Sequence, residues 1–272
     1  MRTKAIWVGE PERTHSELAD RLTFVGHATT LIRLGETTIL TDPFLRRGVG
    51  PLRRHAPAPD REALHPTDLV VVSHLHRDHL DLPSLRRLGR HTTVVVPRGA
   101  GPLASRATKG EVIELSLGDS TSVAEVTVSA VPALHDNRRD RWGGAEADPV
   151  GYVLESNRRR VYFAGDTDLY PEMSDLQPLD LALLPVWGWG SSIGEGHLDP
   201  ARAAVALQRL RPRLAVPIHW GTFYPLGLKR LRPEPLKDPP HVFERLAERA
   251  APDVVVRVLA PGESLDLEEA DR

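Results

Sequence analysis

The segment VVVSHLHRDHLD, Val70 to Asp81, holds the side chains of this chain best suited to chemistry. His74, His76, Asp78 and His79 set three imidazoles and one carboxylate within six residues. Such nitrogen and oxygen donors suit Zn²⁺, and also Mn²⁺ or Fe²⁺. The run before them, Val70 to Ser73, is apolar, β-branched and too short for a helix, so it reads as a buried strand. Residues two apart in an extended chain point to the same side. His74 and His76 can therefore share one metal at the strand's end, while Asp78 and His79, beyond the turn, face a second position. One short segment can begin two adjacent metal sites.

The elements that must hold such a site are legible on both sides of it. LTFVG, TTLIRL and TTILTD read as an antiparallel meander ending near Asp42, parted by turn residues such as Gly35. The Pro- and Arg-rich stretch from Pro43 to Pro66 reads as a loop. After the histidine motif come a short helix around Leu82 to Leu88, the strand TTVVVP, a short helix in GAGPLASRAT, the strand EVIEL and one long alternating strand, TSVAEVTVSAVPA. GYVLES, RVYFAGD, LDLALLPV and LAVPIHW read as strands, with DVVVRVLA as the last. DPARAAVALQRLRP is an amphipathic helix with Asp199 at its cap and Pro200 in its first turn. PPHVFERLAERA is another helix. This mixture makes sheets covered by helices. No low-complexity linker divides it, so residues 1–272 are expected to form a single domain, with 1–20 as an N-terminal extension or edge segment.

Four more ligand-type side chains stand where strands end or loops begin. His135 follows AVPAL, Asp166 ends VYFAGD, His219 ends LAVPIH, and His197 lies in the glycine-rich GWGSSIGEGHLDP. A rigid strand fixes a side chain at its end while the following loop shapes the pocket.

HLHRDH, followed in order by His135, Asp166 and His219, resembles the metallo-β-lactamase superfamily of metal-dependent hydrolases, from about Leu22 to the last strand. TFVGHATTLIRLGETTILTDP, FAGDTD, GHLDP and PIHWGTF resemble one branch more closely, that of ascorbate-6-phosphate lactonase and N-acylphosphatidylethanolamine phospholipase D. The resemblance implies an α/β fold: an αββα four-layer sandwich, two facing mixed β-sheets with helices outside and the metals at one edge. It implies two divalent metal ions, zinc first, with Mn²⁺ or Fe²⁺ as alternatives. His74, His76 and His135 would hold the first, Asp78, His79 and His219 the second, and Asp166 would bridge them. Asp42 would orient a ligand histidine through the ring nitrogen not on metal. His27 and His197 match two histidines near the metals but outside the ligand sets. For His27, a hydrogen bond in the Thr29 or Asp42 region competes with a catalytic role.

The function this implies is that of a binuclear hydrolase, in which a metal-bound hydroxide attacks a phosphodiester or an ester of a phosphorylated small molecule. Asp78 or Asp166 would handle the proton, and His197 would stabilise the oxyanion or leaving group. The alternatives are a lactonase or other carboxyl-ester hydrolase, a lipid hydrolase like the phospholipase, and, least favoured, a non-catalytic metal-binding sensor. Arg138, Arg139 and Arg141 could meet a phosphate or carboxylate, or be solvated. Trp187 and Trp189 could line an apolar substrate pocket. Arg46, Arg47, Arg53 and Arg54 form a second basic group, read first as solvated.

Composition narrows the classes. The chain has 272 residues and a formal net charge of −2, enough length for a real core and too little positive charge for a general nucleic-acid binder. The partner expected is a small-molecule or lipid substrate, and a homo-oligomer is compatible with the sequence. Cysteine is absent, so there is no disulfide, no thiolate ligand and no thiol nucleophile. No stretch approaches the roughly 20 apolar residues of a membrane span. MRTKAIWVGEPERTHSELAD has no apolar run of signal-peptide length, so a cytoplasmic location is expected.

Overall fold

Apolar alternation builds two facing sheets in a computed structural model of the chain, which describes residues 19–59, 64, 66–140, 144–188 and 193–268. β1 (Arg21–Gly26), β2 (Thr29–Leu34) and β3 (Thr37–Thr41) form the expected antiparallel meander. The stretch after it is more than a loop. β4 (Gly48–Val49) and β5 (Leu52–Arg54) pair as a small hairpin, because Gly50 takes φ 52° at the turn and Leu52 buries against Phe44 and Phe223. So short an apolar contact leaves no periodic trace in sequence. β6 (Leu69–Val71), α1 (Leu82–Leu85), β7 (Thr93–Pro97), α2 (Gly101–Ala104) and β8 (Val112–Leu115) follow as expected.

The long alternating run is two strands, β9 (Ser120–Val123) and β10 (Val126–Pro132), folded back on each other through Ala124 at φ 50°. Next come β11 (Val150–Glu155), β12 (Arg160–Phe163), β13 (Leu181–Pro185), α3 (Pro200–Leu210), β14 (Leu214–Ile218), β15 (Phe223–Pro225) and α4 (Asp238–Ala250). DVVVRVLA contributes only β16 (Val255–Val256). The last strand among the described residues is β17 (Ser264–Asp266), an edge strand on β1 whose alternation, SLDL, is too short to stand out in sequence.

One seven-stranded sheet runs β17-β1-β2-β3-β6-β7-β8 and the other β16-β14-β13-β12-β11-β10-β9, with β15-β5-β4 as a small third sheet. Alternation sorts the layers. Leu69 and Val71 join the core between the large sheets, with Tyr152 and Phe163 opposite. Val70 and Val72 turn the other way, to Leu85 and Leu88 at α1 and to Ala100 and Ala104 at α2. On the far face of the second sheet, α3 and α4 bury Leu207, Leu210, Phe243 and Ala247. The αββα layering is present, but the outer layer on the first sheet is thin, since α1 and α2 are four residues each.

Strand direction gathers the chemistry. β1 and β3 both run antiparallel to β2, and β3 runs parallel to β6. In the second sheet β12, β13 and β14 are parallel, and β10 shares their direction because both it and β12 are antiparallel to β11. The carboxyl ends of these strands deliver His27, Asp42, His74, His135, Asp166, Trp187 and His219. The sheets are tied beneath these ends: Tyr152 Oη donates to Val72 O at 2.9 Å, and Val150 N donates to Ser73 O at 3.0 Å. Gly165, at φ 60°, lets Asp166 come this close, since a Cβ there would lie 2.4 Å from Ser73 Cβ.

The start of α3 offers a local check. Asp199 accepts a hydrogen bond from Arg202 N at 2.7 Å, with Pro200 following as the first helical residue. Asp199→Ala should cost about 1 kcal/mol in urea unfolding and leave metal content unchanged.

Candidate metal centre

β6 stops at Val71, so a loop and not strand alternation brings His74 to His76. His79 N and Leu80 N both donate to His76 O, at 3.0 and 2.9 Å, and fold the loop back. His74 Nε2 then lies 3.0 Å from His76 Nδ1, which lies 3.0 Å from His135 Nε2. A second group forms beside this trio. His79 Nε2 is 3.2 Å from His219 Nε2 and 3.8 Å from Asp78 Oδ2. Asp166 reaches both nitrogens of that pair: Oδ2 is 3.2 Å from His79 Nε2, and Oδ1 is 3.3 Å from His219 Nε2. Asp166 also groups with the ligand atoms of His135 and His197, all within 4.8 Å of one another.

The outer partners of these rings decide which nitrogens carry protons. Carbonyls only accept, so His135 Nδ1 donates to Gly196 O at 2.8 Å and His219 Nδ1 donates to Trp187 O at 2.6 Å. Asp42 Oδ2 accepts from His79 Nδ1 at 2.6 Å and from Ser73 Oγ at 2.6 Å. With its proton on Asp42, Ser73 Oγ accepts from His74 Nδ1 at 2.9 Å. The inner Nε2 atoms of neutral His74, His135 and His219 therefore carry lone pairs, and those of His74 and His135 both point at His76 Nδ1, 3.0 Å away, which can supply one hydrogen at most. Asp166 Oδ1 is buried and has no hydrogen-bond partner. Buried unpaired acceptors cost about 1–3 kcal/mol each, and converging lone pairs beside carboxylates are what a divalent cation satisfies. The donors fit a metal on this ground.

Charge follows the same pattern. Burial pushes His135 down to about 4 and His219 to about 3, and holds His74 well below the usual histidine value, helped by His79 and His135. These rings are neutral and ready to ligate. His79 is the exception. Burial opposes its charge, but Asp166, Asp42 and Asp78 overcome that and raise it well above the usual value. Burial would also raise Asp166 and Asp78. Nearby histidines, His219 and His79 for Asp166 and His79 and His27 for Asp78, instead hold both well below the carboxylate range. A metal arriving here displaces the His79 proton.

Other residues named from the sequence fall differently. His27 bonds neither Thr29 nor Asp42: its Nε2 lies 3.0 Å from Asp78 Oδ2, and its ring lies 3.9 Å from that of His219. The reason is backbone conformation, since φ 61° at His27 turns the ring away from the meander and toward the motif loop. His197 Nε2 sits 3.7 Å from Asp166 Oδ2, and its Nδ1 donates to Glu195 O at 3.2 Å. Arg138 is committed to Asp136 through both its backbone N and its guanidinium. Arg139 donates to Leu75 O at 2.7 Å and to Leu80 O at 3.3 Å, so it clamps the histidine loop. Trp187 packs against the inter-sheet core and supplies its carbonyl to His219. Arg141 and Trp189 lie outside the described residues. Sequence reasoning missed Ser73 and the carbonyls of Trp187 and Gly196. Only the position of Ser73 just before His74 could have signalled it, because a backbone carbonyl has no residue code.

The β-lactamase superfamily domain matches residues 37–220. A protein of Methanopyrus kandleri described as a UPF0173 metal-dependent hydrolase is 33% identical over 253 residues, covering 90% of this chain and 99% of its own. An uncharacterized protein of Mycobacterium tuberculosis is 32% identical over 269 residues, covering 90% of this chain and 68% of its own. The structure of Igni18, described as a novel metallo hydrolase from Ignicoccus hospitalis, superimposes with a TM-score of 0.69 at 26% identity, covering 91% of this chain and 97% of its own.

Asp42 bonds Ser73 and the outer nitrogen of His79, away from the inner Nε2, so its loss should weaken metal binding without removing one of the proposed donors. Asp42→Asn is expected to lower metal affinity by about 10–100-fold. Chelator competition on the purified variant measures this, and unchanged affinity would show that the rings hold their orientation without the carboxylate.

Proposed function

The chain belongs to the β-lactamase superfamily domain family, and from that premise we propose that it is a binuclear metal-dependent hydrolase acting on a phosphodiester or on an ester of a phosphorylated small molecule. His74, His76 and His135 would hold one metal, Asp78, His79 and His219 the other, with Asp166 between them. The observation that carries this reading is Asp166, whose two oxygens lie 3.2 Å and 3.3 Å from nitrogens of one group while it also clusters with His135 of the other. Zinc is the metal proposed first, with Mn²⁺ and Fe²⁺ open to an all-nitrogen-and-oxygen set. When bound, such a pair supplies Lewis acidity and brings the pKa of a water toward ~7.

The chain's own residues do the rest. Asp42, Ser73 and two backbone carbonyls fix the rings, so no reorganisation is needed as charge develops. The Asp78 side chain is 18% exposed, whereas Asp42 and Asp166 are at 0% and 4%. Asp78 is thus the carboxylate able to exchange a proton with the substrate side, and His27 Nε2 steadies its Oδ2. His197 is 26% exposed. Its Nδ1 proton is tied to a carbonyl, so Nε2 is the acceptor of the neutral ring and, once protonated, the atom that gives a proton to the leaving group or a hydrogen bond to the oxyanion. This agrees with the branch resemblance, in which lactone or phosphodiester bonds are opened.

A lipid phosphodiester is the second reading. It rests on Leu226 and Leu231, 74% and 79% exposed beside Lys229 and Arg230 just after β15, an apolar and cationic edge suited to an anionic surface.

Metal-saturated protein should carry about two equivalents by elemental analysis; one or none removes the binuclear reading. Turnover of bis(p-nitrophenyl) phosphate, a lactone and a thioester, each with and without anionic vesicles, ranks the substrates. A preference for the lactone or thioester overturns the phosphoester assignment, and stimulation by vesicles favours the lipid. His197→Ala should retain its metal and lose about 10²–10³-fold in kcat. Loss of metal would instead make His197 a ligand.

A further inference from the structure

The second arginine group, read first as solvated, does not simply face water. Arg46, Arg47, Arg53 and Arg87 line a cavity of about 520 Å³ with Leu45, Gly48, Ala58 and Pro59, and no carboxylate is among these lining residues. The four guanidiniums come from three segments. Arg46 and Arg47 precede β4, Arg53 is in β5, and Arg87 follows α1. We propose that this cavity binds the phosphate group of a phosphorylated small molecule, at a site separate from the metal cluster.

The walls are built before any ligand arrives. Arg46 forks onto Asp81, with Nε at 3.0 Å from both carboxylate oxygens and Nη2 at 2.6 Å from Oδ1. Asp81 is itself buried and caps α1 through Ser84. Along β5 side chains alternate, so Arg54 turns inward where Arg53 faces the cavity. Arg54 donates to Phe44 O at 2.9 Å and to Arg46 O at 3.3 Å, and lies 5.1 Å over the Phe223 ring. It staples the backbone that carries Arg46 and Arg47.

Only Arg46 is compensated by a carboxylate among the described residues. Arg53 donates through Nη1 to Gly50 O and Leu52 O, and Arg87 through Nη1 to Leu45 O, while the Arg47 guanidinium has no partner among the described residues. A guanidinium has five N–H donors, so each of these three keeps donors to offer. In a chain of net charge −2, so local an excess of positive charge selects an anion. Convergence from several directions selects its shape. One arginine fork satisfies a planar carboxylate, whereas a tetrahedral phosphate takes donors from several sides. The cavity volume lies in the range of about 300–1,000 Å³ typical of small-molecule sites and exceeds what a bare phosphate fills, so the ligand carries an organic part.

None of the lining residues belongs to the metal groups, so the two sites can be tested apart. The experiment is isothermal titration of the zinc-loaded full chain with glucose 6-phosphate, inorganic phosphate and glucose. The phosphorylated sugar should bind with a Kd of about 1 mM or tighter, and glucose should not bind. Arg47→Ala/Arg53→Ala should weaken binding by about tenfold or more, while Tm and zinc content stay at wild-type values because both side chains are exposed. Arg87→Ala, from a different element, should weaken it as well. His135→Ala, which alters the metal cluster, should leave this binding in place. Equal affinity in the wild type and both arginine variants, or binding lost with His135→Ala alone, would put the phosphate on the metals and overturn the proposal. So would the absence of any heat with both phosphates.

Discussion

The buried carboxylate of Asp42 is the constraint on which the rest of this structure turns. A charge taken out of water is costly unless every lone pair finds a donor. Asp42 finds three: Ser73 N at 2.7 Å, Ser73 Oγ at 2.6 Å and His79 Nδ1 at 2.6 Å. Through Ser73 it reaches His74, a member of the histidine trio, and directly it sets His79, in the other group. Asp42 N also donates to Val71 O at 2.9 Å, which continues the parallel pairing of β3 and β6 beyond their ends. One side chain thus links the register of the first sheet to the orientation of both candidate metal groups.

That link would be loose if the second sheet were free to slide. The bonds from Tyr152 and Val150 to the chain around Ser73, and the close approach of Gly165, hold the two sheets' loops together. The site accepts backbone strain in return. His27, Asp42 and His219 have φ of 61°, 32° and 63°, in the left-handed region. Such conformations cost about 1–3 kcal/mol each and persist only where surrounding bonds over-determine them. Here His27 N donates to Thr222 Oγ1 at 2.7 Å, and His219 N donates to His27 O at 2.7 Å. The strained turns aim imidazoles at one edge, and the hydrogen bonds keep them there.

Arginine plays two distinct parts around this edge. Arg54 and Arg139 give most of their donors to backbone carbonyls and stiffen loops that flank the site. Burial lowers Arg54 to about 10, still charged at neutral pH. Arg46, Arg47, Arg53 and Arg87 instead surround open volume. The same residue type is structural where carbonyls crowd it and available to an anion where they do not, which explains why a cluster of arginines in sequence could not be sorted by type alone.

The residue types of the candidate centre, the strands that carry them and the presence of helix-covered sheets are legible in local pattern: imidazoles at close spacing, apolar period two, and the Asp199-Pro200 helix start. The four-layer arrangement came through the family resemblance of HLHRDH and the ligands after it. Where local pattern was weak, the reading failed. β4, β5 and β17 are two or three residues long, and the β9–β10 turn at Ala124 carries no glycine or proline. Who bonds to whom rests on packing between distant segments. Asp78 rather than Asp42 receives His27, the trio closes through a loop rather than along a strand, and carbonyls of Trp187 and Gly196 set two ring tautomers. Those choices depend on the direction and spacing of strands distant in the chain. A backbone carbonyl or a positive φ becomes a functional feature only when another segment is brought within about 3 Å of it, the reach of a hydrogen bond.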